Sequence, residues 1–180
     1  MSNAINEQKI LDIGYFKIGI DGRLQDEIPR RILYPQGILF SEYYFYLIAF
    51  IEGKSYEYRT IYRVDRIKDI LITYRKYKVD YTKKFQDGEY RKLIQFMQTG
   101  ELERVKFRFT GKSIEAVLDR LPNAKVVKEK QGEYIVETNM FGEGIKMWLL
   151  SQGDSVEVLS SDKFSEEMKR IILEIGKMYK

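Results

Sequence analysis

Arg59 and Arg63 stand four residues apart in the run Tyr58-Arg59-Thr60-Ile61-Tyr62-Arg63-Val64-Asp65-Arg66-Ile67. In an extended chain they share parity, so both side chains leave one face, about 13 Å apart at ~3.3 Å per residue. Guanidinium groups grip phosphate oxygens two at a time, and successive phosphates of a nucleic-acid strand lie within reach of such a pair. Arg66 has the opposite parity and joins that face only where the strand bulges or ends, near Asp65. The competing reading is that these arginines are simply solvated, or paired with Glu57 or Asp65, since exposure is the default state of charge. A second basic cluster, Arg75, Lys76, Lys78, Lys83 and Lys84, is interleaved with Tyr74, Tyr77 and Tyr81. Cations mixed with aromatic rings can track a single strand by phosphate contacts and stacking. The same composition serves equally well as a soluble, anchored connector.

Other chemistries find few residues to carry them. The 180-residue chain has no cysteine and no histidine. That rules out disulfides, thiolate metal sites, cysteine nucleophiles, imidazole bases and most zinc or iron centres. Gly142-Glu143-Gly144 lacks the strand–loop–helix context and the Lys-Ser/Thr of a phosphate loop. The pair Glu166-Glu167 falls on a helix surface with no cleft partner. No catalytic constellation emerges, so a non-enzymatic role without cofactor or metal is expected. The net charge of +4 and pI near 9.0 suit an anionic partner without requiring one. The longest apolar run, Tyr43–Ile51, has nine residues, and a spanning helix needs about 20. No basic-then-apolar leader opens the chain. A cytoplasmic protein away from membranes is expected.

Two regions differ in pattern. A short polar helix is predicted around Asn3–Gln8, then strands over Lys9–Gly19, Ile32–Phe40, Tyr43–Ile51 and Ser55–Tyr74. Asp21-Gly22 and Glu52-Gly53-Lys54 mark turns between them. Short antiparallel strands joined by tight turns suggest a small barrel, because closure removes exposed edges. From about Gly88 the order becomes helix Glu89–Gln98, strand Val105–Thr110 and helix Ser113–Leu121. The last of these sets Ile114, Val117, Leu118 and Leu121 on one face. Strands Ala124–Lys128 and Tyr134–Asn139 follow around Gln131-Gly132, then helix Gly144–Gln152 with Gly153 as its C′ residue. Strand Ser155–Ser160 and a last helix striped by Phe164, Met168, Ile171, Ile172 and Ile175 complete the chain. The order β-α-β-β-α-β-α is that of a ferredoxin-like unit with one added helix.

Motifs in the first region bear a resemblance. Ile32-Leu33-Tyr34-Pro35-Gln36-Gly37-Ile38, then Tyr44-Phe45-Tyr46-Leu47-Ile48-Ala49-Phe50, then Tyr58 to Ile67 stand in the order seen in the WYL domain. The chain therefore resembles that prokaryotic module, whose Trp-Tyr-Leu tripeptide here reads Phe45-Tyr46-Leu47. Asn3 to Lys9, with Tyr15, resembles the usual opening of the family. Trp148-Leu149-Leu150-Ser151-Gln152-Gly153-Asp154-Ser155-Val156-Glu157-Val158-Leu159 is similar to the WCX extension that follows many WYL domains.

The resemblance implies an α+β chain: a Sm-like, SH3-type small β-barrel over residues 1–85, a helical connector over 86–101, and a ferredoxin-like WCX extension over 102–180. It implies the effector-sensing fragment of a bacterial transcriptional regulator, whose DNA-binding winged helix-turn-helix lies outside this chain; a stand-alone sensor is the alternative. An anionic ligand, single-stranded nucleic acid or a nucleotide, would bind the barrel through Tyr46, Arg59, Arg63 and Arg66. The ring and hydroxyl of Tyr46 suit either stacking or hydrogen bonding. Phe45 and Leu47 are expected in the core, Asp65 orienting an arginine, and Trp148 with Gly144 and Ile145 packed on the second sheet. Glu166, Glu167, Lys169 and Arg170 are expected on the solvated side of the last helix. The extension is expected to contribute to a homodimer. Rival readings are a dimerisation module without a ligand, and a direct nucleic-acid binder that switches nothing.

Overall fold

The computed structural model describes residues 1–23, 25, 29–54, 59–78 and 85–179. Glu57, Tyr58, Tyr81, Lys83 and Lys84, and the first four residues of the expected strand Ser55–Tyr74, lie outside the described residues. The protein is α+β, with two antiparallel sheets and five α-helices among the described residues, and it divides into two compact units, Met1–Tyr90 and Arg91–Lys180.

The first unit opens with α1 (Ser2–Asn6) and β1 (Lys9–Tyr15), followed by β2 (Arg30–Ser41) and β3 (Tyr44–Ile51). Ser41 pairs with Tyr44, which leaves Glu42-Tyr43 as a two-residue hairpin tip with Glu42 at φ +55°. β4 (Thr60–Arg63) pairs with β3, and β5 (Ile67–Lys76) returns to pair with β1, giving the order β4-β3-β2-β1-β5. The expected single strand up to Tyr74 is thus two strands on opposite edges of the sheet. A 3₁₀ turn at Val64–Arg66 breaks it.

Leu47 and Ala49 of β3 pack with Leu11, Ile13, Leu33 and Tyr62 in one core. Ile48 and Phe50, which alternate with them, are buried on the opposite face. A strand covered on both sides reads as an unbroken apolar run instead of an alternating one. This is the physical reason for the unbroken apolar stretch Leu47–Phe50. Gly37, paired with Ile48, makes the second covering possible: a Cβ there would overlap the Phe85 ring.

α2 (Asp87–Leu93), which begins in the first unit and ends in the second, is shorter than the expected Glu89–Gln98. A turn with Phe96 and Met97 at positive φ and a Gln95–Gln98 bridge replaces its last turn. Then come β6 (Leu102–Phe109), α3 (Ile114–Arg120), β7 (Lys125–Lys130), β8 (Glu133–Phe141), α4 (Gly142–Ser151), β9 (Val156–Val158) and α5 (Asp162–Met178). The sheet order is β7-β8-β6-β9. Ser113 caps α3, its Oγ accepting from the Ala116 amide at 3.3 Å. Val105, Phe107 and Phe109 form one face of β6 and meet Val117, Leu121, Val136, Ile145, Trp148 and Phe164. Trp148 lies against Phe107, ring centroids 5.8 Å apart, as expected of a residue pinning α4 to the sheet.

Two apolar stripes are shorter than the sequence suggests. Leu118 lies at the exposed edge of α3, and in α5 only Phe164 and Met168 are buried. Ile171 is half-buried while Ile172 and Ile175 are exposed, lining an open groove with Leu149, Val156 and Val158.

Candidate anion-binding site

The site grows from the register of β3 and β4. Tyr46 is paired with Arg63, so the two side chains leave the same face, opposite the Leu47–Tyr62 core. β4 ends at Arg63, and the 3₁₀ turn that follows folds Asp65 back onto it. Arg63 donates from Nε to Asp65 Oδ1 at 3.1 Å and from Nη2 to Oδ2 at 2.6 Å, a two-toothed fork. The guanidinium lies over the Tyr44 ring, 3.4 Å from its centroid. The Arg63 amide donates to the Tyr15 hydroxyl at 3.3 Å, and Tyr15 in turn meets Tyr62 edge-on at 4.9 Å.

Electrostatics follow from these contacts. Hydrogen bonding to Asp65 raises the Arg63 pKa further above its ordinary value, and the same bond holds the Asp65 carboxyl below the usual range. Both are ionised at neutral pH. Burial pushes the Tyr46 phenol up, against the opposing pull of Arg63 and Arg66, so Tyr46 offers a neutral O–H. Arg66, at the end of the 3₁₀ turn, carries a buried Nε with no hydrogen-bond partner among the described residues. A buried donor without an acceptor is costly, and sites that keep one commonly await a ligand, ion or water.

Arg59 is placed differently. It precedes β4 instead of lying on it, and its guanidinium faces three rings: Phe50 at 5.2 Å, Phe85 at 5.6 Å and Tyr90 at 5.8 Å. Burial lowers its pKa from the ordinary arginine value, which leaves it charged at neutral pH. The structure therefore brings Tyr46, Arg63 and Arg66 together and seats Arg59 in a nest of its own.

Phe45 corrects an expectation. It is 57% exposed, with its ring against Phe40 at 5.0 Å between centroids, whereas Leu47 is fully buried. The two-residue hairpin tip carries Phe45 beyond the edge of the core. Tyr43 is 85% exposed, while Tyr44 lies under Arg63 and meets the Tyr46 ring edge-on at 6.5 Å, so Tyr44 is the tip ring on the arginine face. The adjacent Ser41-Glu42 polar pair inside an aromatic run was the sequence signal for that tip.

The second basic cluster is divided. Arg75 is ion-paired with Glu52, and Tyr77 donates its hydroxyl to the Pro35 carbonyl while stacking on Tyr34 at 5.4 Å. Tyr74 is fully exposed. Among the described residues no group of three acidic side chains is placed to hold a metal.

Comparison with known families finds two domain models along the chain. The WYL domain model matches residues 1–72 and the WCX domain model residues 101–176. The chain carries a WYL domain followed by a WCX domain. No curated protein matches it significantly. Among solved structures it is similar to the proteasome accessory factor B/C (PafBC) of Arthrobacter aurescens, at 15% identity and a TM-score of 0.39. That match covers 92% of this chain and 25% of that one. It is also similar to a CRISPR Cas-related protein, at 19% identity and a TM-score of 0.55, over 99% of this chain and 49% of that one. The WYL–WCX chain thus spans about a quarter and about half of the lengths of these two. Among the described residues no helix is long and apolar enough to cross a membrane.

Proposed function

We propose that this WYL–WCX chain is the effector-sensing part of a bacterial transcriptional regulator. It binds an anionic ligand, single-stranded nucleic acid first and a nucleotide second, at Tyr46, Arg63 and Arg66. The observation that carries this reading is the buried Nε of Arg66, without a hydrogen-bond partner among the described residues, together with the ionised Arg63 and the neutral Tyr46 hydroxyl. Three donors of this kind suit phosphate oxygens, and the Tyr44 ring on the same face suits a base stacked alongside. Arg59 supports the site from its nest of rings and contacts ligand only if that nest opens.

The sheet order of the first unit fits a Sm-like, SH3-type barrel over residues 1–85, and that of the second fits a ferredoxin-like WCX extension over 102–180, with 86–101 as connector. The regulator would act in the cytoplasm as a homodimer without catalysis of its own, reaching operator DNA through a winged helix-turn-helix outside this chain. Ligand switches such a regulator only by binding two arrangements with unequal affinity.

A second reading, a dimerisation module without a ligand, is favoured by the exposed Ile172, Leu173, Ile175 and Met178 of α5. Fluorescence anisotropy separates the two readings. Labelled single-stranded DNA, with duplex and RNA controls at two salt concentrations, should bind saturably to wild type and at least tenfold more weakly to the Arg63→Ala/Arg66→Ala variant, about 1.4 kcal/mol or more. Equal binding by the two proteins rejects the site. No binding to any of these probes, with a stable dimer in sedimentation, favours the second reading.

A further inference from the structure

We infer that Asp65 is a built-in competitor for the ligand of this site, so that binding exchanges one anion for another on Arg63. The inference rests on the anion-binding reading above and concerns how that site is regulated. A carboxylate and a phosphate present the same pair of oxygens to a guanidinium fork. The fork formed by Nε and Nη2 of Arg63 is filled by Asp65 Oδ1 and Oδ2. A ligand phosphate seeking that edge meets it already occupied.

Asp65 orients Arg63, as expected, but it does not do so alone. The Tyr44 ring fixes the plane of the guanidinium from one side, and the bond from the Arg63 amide to the Tyr15 hydroxyl anchors its backbone. The two partners also differ in how easily they can let go. The Asp65 side chain is 51% exposed and that of Arg63 20%, so the carboxylate can turn into water while the arginine stays in place. Asp65 feels the charge of Arg66 as well as that of Arg63, and its departure leaves both cations facing the ligand.

The exchange sets what kind of ligand succeeds. A partner tethered two residues away acts at an effective concentration on the order of millimolar or more. A lone phosphate below that level does not displace it. A ligand that also satisfies Arg66, accepts from Tyr46 and stacks on the hairpin tip does so by its additional contacts. An extended phosphodiester strand meets that requirement and inorganic phosphate does not.

The test is anisotropy of a labelled oligothymidylate of about 12 nucleotides, within the usual span of a small single-strand site, titrated with the full 180-residue chain. Asp65→Asn removes the charge, and Asp65→Ser also removes any side chain able to refill the fork. Glu42→Gln removes another carboxylate whose charge reaches Tyr46 but which makes no fork with Arg63. Both Asp65 variants should bind roughly three- to fivefold tighter than wild type, the scale set by an exposed ion pair, and Glu42→Gln distinctly less so. The tightening should vanish when Arg63→Ala is added. Asp65 variants that bind as wild type or more weakly, or a gain matched by Glu42→Gln, overturn the competitor. If Arg63→Ala still weakens wild-type binding in that case, the anion site itself stands. If neither wild type nor either Asp65 variant binds the oligonucleotide at low salt, both the site and the competitor fall.

Discussion

Arg59 and Arg63 have identical side chains four residues apart, yet their surroundings assign them different work. Arg63 lies on a ring and a carboxylate at the surface, whereas Arg59 is half-buried among Phe50, Phe85 and Tyr90. A planar guanidinium can face several rings at once; the compact ammonium of lysine cannot reproduce that packing. Arg59→Ala is therefore expected to lower unfolding stability by about 1–2 kcal/mol, with Arg59→Lys recovering only part. Urea titration of the two variants checks this, and an Arg59→Ala midpoint equal to wild type would show that the ring nest contributes nothing. Sequence parity paired the two arginines correctly for a regular strand. It had no access to the fact that the strand begins at Thr60, nor to Phe85, 26 residues downstream.

Elements in this chain are held by close approaches as much as by apolar stripes. The buried Gly144, in the first turn of α4, lies so close to the Gln95 carbonyl that a Cβ would overlap it. Because the obstacle is backbone, it cannot swing aside as a side-chain tip would. Gly144→Ala should destabilise the second unit by about 1–3 kcal/mol, read as a fall in the far-UV melting midpoint. An unchanged midpoint would mean that α4 shifts without cost. The helix itself was legible from Ile145, Trp148 and Leu149, whose spacing sets one buried face. The 3₁₀ break at Val64–Arg66 was less so, because Arg63 to Ile67 contains neither Gly nor Pro to mark it. The break comes from the switch of sheet partner, β3 before it and β1 after it.

At the scale of the whole molecule each unit has its own core, one built around Leu11, Leu33 and Leu47, the other around Phe107, Leu121 and Trp148. Units with separate cores commonly unfold as separate cooperative transitions. Leu47→Ala and Trp148→Ala should each remove about 2–5 kcal/mol from its own transition, so that calorimetry shows different peaks moving in the two variants. A single peak shifted equally by both would mean that the units unfold as one. Charge acts at this scale too. The net +4 is modest, so salt dependence should report the local contacts: two phosphates neutralised by Arg63 and Arg66 give a log–log slope of about −1.4 for a single strand.

What the sequence by itself determined were the features that repeat along the chain or depend on residue type alone. Without cysteine or histidine the range of chemistry narrowed, alternation and 3.6-residue spacing marked most strands and helices, and ordered motifs carried the WYL and WCX resemblance. Only the tertiary structure decided which basic and aromatic residues meet. Strand register set Tyr46 opposite Arg63, the 3₁₀ turn brought Asp65 onto the guanidinium fork, and the hairpin tip carried Phe45 into solvent. Each of these depends on contacts between segments, or on where a strand stops. A local pattern reports the face a side chain prefers, but the partner on that face comes from elsewhere in the chain.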